Sequence, residues 1–214
     1  TSEAGRRESN EDFLGVVTPT GAQLATKGAV LAVADGVSGN GGGREAAENT
    51  VRSILADYYA TPETWEIPHA LDKVAGSINR WLLAQSTLHR ELAGMACTLS
   101  LLVLRGGRYT LAHVGDTRIY RQRGERLEQL TTDHVWDRPD MQHVLKRAVG
   151  LDQHLVLDFA EGEVQEGDVF VLVSDGVWEV LGDKSIHALL HLHRDPQRAA
   201  EALVAKSLAQ NGQD

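Results

Sequence analysis

The chain has 214 residues, 42% of them apolar and 24% charged, enough for one domain that buries about 70% of its unfolded surface without disulfide staples. No apolar stretch approaches the ~20 residues of a membrane helix, and the lone cysteine, Cys97, excludes a disulfide framework and fits a reducing, cytoplasmic compartment. The net charge of −9 disfavours nucleic acid and anionic lipid as partners; it fits equally a chain that gathers carboxylates round cations and one that is merely well solvated.

The opening at Thr1, without a methionine or signal peptide, reads as a segment of a longer polypeptide. Phe13–Val17 and Ala29–Ala34 are short apolar runs suited to strands. The glycine-dense stretch Gly39–Gly43 leads into a helical pattern that puts Ala47, Val51, Ile54, Leu55 and Tyr58 on one face. After Pro62 and Pro68, a second helix carries Leu71, Val74, Ala75, Ile78 and Leu82. Cys97–Leu104, Tyr109–Val114, Arg118–Arg121 and Leu127–Leu130 follow as strands, broken at Gly106-Gly107 and Gly124. Such short connections predict antiparallel neighbours, because a parallel pair needs a long crossover. An apolar run, Val169–Val173, precedes a helix predicted from about Ile186. The last helix opens at Asp195-Pro196, a capping aspartate followed by proline, and stops at Asn211-Gly212. No repeat or linker divides the chain, so the pattern predicts one α+β domain with antiparallel sheet and flanking helices.

Three of the apolar strands run into aspartate: Asp35-Gly36, Asp116 and Asp175-Gly176. A single Asp-Gly is ordinarily a turn. Two on such similar strands, with Glu11-Asp12 near one end and Asp214 at the other, look like carboxylates delivered to one place. Two carboxylates 4 Å apart repel by about 4 kcal/mol at an effective dielectric of 20. Such a set therefore either stays dispersed in solvent or is held by cations, and all-oxygen donors select magnesium or manganese over zinc.

Five blocks, in order, resemble the signatures of the metal-dependent serine/threonine protein phosphatases (the PPM family, type 2C). They are Gly5-Arg6-Arg7-Glu8-Ser9-Asn10-Glu11-Asp12, Val33-Ala34-Asp35-Gly36, Val114-Gly115-Asp116-Thr117-Arg118, Leu130-Thr131-Thr132-Asp133-His134 and Val173-Ser174-Asp175-Gly176-Val177-Trp178. The resemblance spans practically the whole chain and implies a single metal-dependent phosphatase domain over residues 1–214. Its fold would be an α-β-β-α sandwich of two antiparallel sheets flanked by helices. It implies two Mn²⁺ or Mg²⁺ ions, with Asp35 bridging them, the Gly36 carbonyl on one and Asp175 on the other. Glu11 and Asp12 would act directly or through ordered water, and Asp214 aligns with the aspartate of the family's final motif. On this alignment the family's last strand and its short first strand lie outside the segment. Arg7 matches the arginine that clamps the substrate phosphate, a job that suits a guanidinium fork; the bland alternative is a solvated surface arginine. Asp116 matches a ligand of a third, looser metal in bacterial members, and reads equally as a structural aspartate pairing with Arg118. Glu179 stands where some members carry an acid near that third site.

Departures from the family pattern are informative. Val37 occupies the position where animal members carry a histidine general acid, which points to bacterial type. The glycine-rich loop 37–44 lacks the lysine and Ser/Thr of a P-loop and reads as a turn. Only about a dozen residues separate His134 from Ala148, where most members insert a flap of some thirty, so the cleft should be more open. Compact versions of this kind occur joined to protein kinases, which makes a kinase domain in the same parent chain an expectation. The His187, His191 and His193 group lacks a zinc pattern and reads as a surface cluster, the four tryptophans as packing, and Cys97 as core. The resemblance thus predicts hydrolysis of phosphoserine and phosphothreonine in proteins by a metal-bridging hydroxide. The alternatives are a catalytically silent phosphatase-fold module that binds phosphoprotein or regulates a neighbour, and a hydrolase of small phosphate esters.

Overall fold

The computed structural model describes residues 1–5, 9–37, 42–138, 141 and 144–210. Strand β1 (Phe13–Val17) pairs antiparallel with β2 (Ala29–Ala34). The short helix α1 (Gly21–Lys27) between them falls where the sequence shows no helical period. Seven residues are too few for a helix to persist alone, and tertiary contacts hold this one. The buried Lys27 ammonium donates to Thr61 Oγ1 at 2.7 Å and to the Pro62 carbonyl at 3.0 Å, while Tyr58 donates to the Lys27 carbonyl at 2.8 Å.

After the two-residue strand β3 (Gly36–Val37) come the helices α2 (Gly43–Ala60) and α3 (Ile67–Leu88), both at the predicted places. Strand β4 (Ala96–Cys97) pairs with β3. The strands β5 (Leu99–Arg105) and β6 (Arg108–Val114) form a hairpin whose turn residues, Gly106 and Gly107, have φ of +57° and +79°. This left-handed pair suits the two-residue turn that follows strand twist. The strands β7 (Arg118–Arg123) and β8 (Arg126–Gln129) make a second hairpin, and β9 (Asp158–Glu163) and β10 (Val169–Val173) complete the sheets. One sheet has the order β1-β2-β5-β6-β9 and the other β10-β7-β8.

Alternation along the strands builds the layers, since successive side chains face opposite sides of a sheet. Leu99, Leu101, Val103, Ala112 and Val114 join Val30, Ala32 and Ala34 in a core with Val51, Ile54, Leu71 and Leu82 of α2 and α3. The intervening Leu102, Tyr109 and Leu111 face the other way and pack on Ile119, Phe170 and Leu172 of the second sheet. The outer face of that sheet supplies Tyr120, Val171 and Val173 to a third core, with Leu181, Ile186 and Leu190 of α4 (Asp175–Leu192) and Ala199 and Leu203 of α5 (Pro196–Ala209). Helix, sheet, sheet, helix is therefore the layer order, as expected. The edges β1 and β10 lie beside an apolar cavity of about 220 Å³ that also touches α5.

Three expectations need correction. Helix α4 starts at Asp175 rather than near Ile186; its non-helical residue Gly182 (φ +66°) kinks it and interrupts the apolar period, which conceals the first two turns. The edge strand β9, with the sequence Asp-Phe-Ala-Glu-Gly-Glu, is too acidic to read as a strand, and pairs with β6 through one edge only. The strands β6 and β7 are not neighbours. β6 already pairs with β5 and β9, and Gly115, at φ +108°, turns the chain across to the second sheet. The predicted cap of α5 is present, Asp195 Oδ1 accepting the Arg198 N–H at 2.9 Å, whereas the Asn211-Gly212 stop lies outside the described residues.

Asn79, buried in α3, fixes the segment after Ala148: its Nδ2 donates to the Asp152 carbonyl at 2.8 Å and its Oδ1 accepts the Gly150 N–H at 2.7 Å. Asn79→Ala strands a buried N–H and is expected to cost about 2–3 kcal/mol, seen as a lower urea midpoint at unchanged slope.

Candidate active site

The strand ends of both sheets open on one cleft of about 400 Å³, lined in part by Glu11, Asp35, Gly36, Asp116 and Asp175. Asp35 leaves β2 with its backbone fixed by one residue: its N–H donates to Thr98 Oγ1 at 2.8 Å and its carbonyl accepts the Thr98 N–H at 2.9 Å. Gly36 follows, donating its N–H to the Glu11 carbonyl at 3.1 Å. A Cβ at Gly36 would run into the Gly43 backbone, so glycine alone lets the start of α2 approach this closely. Asp175 is the first residue of α4, after Ser174, where the positive end of the helix dipole favours a carboxylate. Asp116 comes from the crossover between β6 and β7, its carbonyl accepting Trp178 Nε1–H at 2.9 Å.

The structure thus brings Glu11, Asp35, Gly36, Asp116 and Asp175 together. Asp12 stands behind them, accepting a hydrogen bond from Ser174 Oγ at 2.7 Å and so linking the start of β1 to the end of β10 across the two sheets. Glu179 is exposed on α4 and does not line the cleft. Arg7 and Asp214 lie outside the described residues, as do residues 38–41 of the glycine-rich loop 37–44. The pairing of Asp116 with Arg118, the alternative reading of that aspartate, is not the arrangement found, although the Arg118 charge still acts on Asp116. Arg118 forks onto Asp133, with Nη2 2.7 Å from Oδ2, and stacks 3.4 Å over the Trp178 ring. Trp178 is a packing residue, as expected, and so is Cys97, whose thiol burial pushes up to about 12. Thr98, Ser174 and His134 were missed as site supports. Ser174 and His134 lie within the quoted blocks, but nothing in a linear sequence shows which backbone a side chain will reach.

The rest of the lining is apolar, made of Val37, Ala96, Val144, Leu145, Ala148 and Leu151. Among the described residues no lysine or arginine lines the cleft. Burial first, then the neighbouring Asp175 and Asp133, push Asp116 up to about 7. Asp175 Oδ1 is buried without a hydrogen-bond partner among the described residues. An Asp116 carboxyl that resists ionisation, with an orphaned Asp175 oxygen in the same cleft, fits a hard divalent cation there. Among the described residues no three His, Cys, Asp or Glu side chains are drawn close enough to form a ready-made metal cage, at His187 and His191 or here.

The arrangement defines a class: a two-sheet sandwich with an acidic, oxygen-donor cleft at its strand ends. The protein phosphatase 2C family profile matches residues 1–210, and the chain belongs to that family of enzymes, which hydrolyse phosphoserine and phosphothreonine. A serine/threonine phosphatase, stp, of Listeria innocua is 27% identical over all of this chain and 90% of its own length. The structure of PppA, a key regulatory component of T6SS in Pseudomonas aeruginosa, is similar at 29% identity and a TM-score of 0.83, covering 100% of this chain and 91% of that one. The S. agalactiae serine/threonine phosphatase, at 23% identity and a TM-score of 0.89 over 100% and 93% of the two chains, shares the fold.

The raised Asp116 makes the metal-free protein sensitive to pH. Between about pH 4 and 7 the folded state holds a proton that the unfolded chain has released, so this residue's contribution to stability falls as pH rises through that window. In EDTA, Asp116→Asn is therefore expected to match the parent near pH 4 and exceed it at pH 8 by on the order of 1–3 kcal/mol. Urea unfolding at the two pH values reads the difference.

Proposed function

We propose that this chain is a bacterial-type phosphatase domain over residues 1–214 that hydrolyses phosphoserine and phosphothreonine in proteins, using two Mn²⁺ or Mg²⁺ ions, with a third held more loosely. The observation that carries the reading is the convergence of Asp35, Asp175, Asp116, Glu11 and the Gly36 backbone on one cleft that has no cationic side chain among the described residues. Asp35 and Asp175 would hold the ion pair with the Gly36 carbonyl and Asp214; Glu11 and Asp12 would complete the shell directly or through water. When bound, such ions supply Lewis-acid activation of a water and neutralise charge on the phosphoryl group. Ser174 holds the Asp12 carboxylate and Thr98 fixes the Asp35 backbone, so these two positions are set by the fold before any ion is loaded.

Arg7 is assigned to the phosphate oxygens of the substrate. Val37, 40% exposed at the cleft wall, can neither give nor take a proton, so solvent protonates the leaving alkoxide. Among the described residues no helix is long and apolar enough to cross a membrane, and cytoplasmic action on phosphoproteins, with a kinase domain in the same parent chain, belongs to this proposal.

The test is manganese-dependent hydrolysis of p-nitrophenyl phosphate and of a phosphothreonine peptide. Asp35→Asn and Asp175→Asn should each lower kcat/KM at least ~100-fold, or ~2.7 kcal/mol, and EDTA should abolish turnover. Activity that survives chelation overturns the metal assignment. A strong preference for small phosphomonoesters over the peptide overturns the substrate class.

A further inference from the structure

We propose that His134, oriented by Asp158, is a positioning residue that sets Asp116 at its place in the cleft; the inference rests on the reading of Asp116 as a cation ligand. Asp116 stands on a crossover of three residues that no sheet ladder supports. Gly115, its predecessor, is instead gripped twice by His134. The Gly115 N–H donates to His134 Nδ1 at 3.1 Å, and the Gly115 carbonyl accepts the His134 N–H at 2.7 Å.

Only an unprotonated Nδ1 can accept that bond, so the ring proton sits on Nε2, where it is donated to Asp158 Oδ2 at 3.0 Å. Asp158, on β9, is itself held by Arg147, whose Nη1 lies 2.9 Å from Oδ1. The ring is only 4% exposed, so it cannot turn away without stranding both contacts. Glycine is needed at the gripped position: Gly115 has φ +108°, and a Cβ there would come within 2.6 Å of Thr98 Cβ. On the far side of Asp116 the Trp178 indole holds the carbonyl. Asp116 is thus pegged on both of its flanks, by His134 through Gly115 and by Trp178 at its own carbonyl.

His134 serves the apolar wall as well. Its carbonyl accepts the Lys146 N–H at 2.7 Å, and Val135 bridges to Leu145. The segment bearing Leu145 therefore returns, at Lys146, to the residue that fixes Gly115. A short loop can keep both parts of the lining in register this way, without a separate subdomain.

The test is calorimetric titration of the folded chain with Mn²⁺ alone, beside Mn²⁺ activation kinetics. The variants are Asp116→Asn, His134→Phe, Asp158→Ala and His134→Asn. The last keeps a side-chain oxygen near the place of Nδ1 to accept the Gly115 N–H. Asp116→Asn should remove the weaker binding event. His134→Phe and Asp158→Ala should weaken that same event at least ~10-fold and raise the Mn²⁺ concentration for half-activation in step, with the tighter event unchanged. His134→Asn should restore most of the loss. Asp158 is half-exposed, so its alanine variant reads the relay even if His134→Phe fails to fold. Wild-type weak binding in Asp158→Ala and in folded His134→Phe, against its loss in Asp116→Asn, overturns the positioning role and leaves the ligand reading standing. Retention of every binding event in Asp116→Asn overturns both.

Discussion

Mutual repulsion of carboxylates is the constraint around which this molecule is arranged. Glu11, Asp35, Asp116 and Asp175 line one cleft, and burial, then the charges of Asp175 and Asp133, already raise Asp116. A pliant scaffold would relieve that repulsion by moving apart. Here each group is attached to something that cannot easily move: Asp35 to the end of an interior strand, Asp175 to the first turn of α4, Glu11 to the chain entering β1, Asp116 to a clamped crossover. The two sheets make this possible, because their apolar interface brings strand ends from distant parts of the sequence to one edge. What folding gains in three hydrophobic cores, the site gives back in part by burying Asp116 beside the charges of Asp175 and Asp133.

A polar seam inside the sandwich carries this rigidity. His113, fully buried, donates from Nε2 to the Thr132 carbonyl at 3.2 Å, which leaves Nδ1 to accept from Ser100 Oγ at 3.0 Å; Ser100 in turn lies 2.9 Å from Thr117 Oγ1. Burial, then the adjacent His134, hold His113 down to about 4, so its neutral form persists through the physiological range. Its ring sits 4.9 Å from that of His134. Satisfied buried networks of this kind specify one arrangement, since a slipped alternative leaves polar groups unpaired. The seam therefore fixes the register of β5 and β6 against the crossover that bears Asp116, and connects core packing to the geometry of the cleft.

The layers were legible because alternation and helical period are local properties of the chain: Leu99, Leu101 and Val103 against Leu102, or Val51, Ile54 and Tyr58 along α2, announce their faces without knowledge of partners. β9 was not legible, because an acidic edge strand is stabilised by its neighbour's ladder rather than by its own composition. The onset of α4 was hidden by Gly182, and the β6–β7 crossover by a turn short enough for a hairpin. At the site, residue types spoke plainly where chemistry demands them: carboxylates at apolar strand ends are costly and so conspicuous. Their supports did not, since a threonine such as Thr98 or a histidine such as His134 declares its role only through the backbone groups it meets in three dimensions.

The two parts of the cleft lining make opposite demands on what enters. On the proposed function, divalent ions held by the acidic residues would attract a phosphate dianion and little else. The rest of the lining offers Val37, Val144 and Leu151, between 40% and 46% exposed, and no hydrogen-bond donor from their side chains. Phosphate affinity alone cannot tell a free ester from a phosphorylated chain. The apolar part of the lining could, because it would reward whatever hydrocarbon accompanies the phosphate into the cleft. A phosphorylated side chain tethered to a polypeptide brings such surface with it, whereas a small hydrophilic phosphomonoester brings none. On the proposed function, recognition would therefore be divided, with charge setting the reacting group and hydrophobic contact setting its bearer.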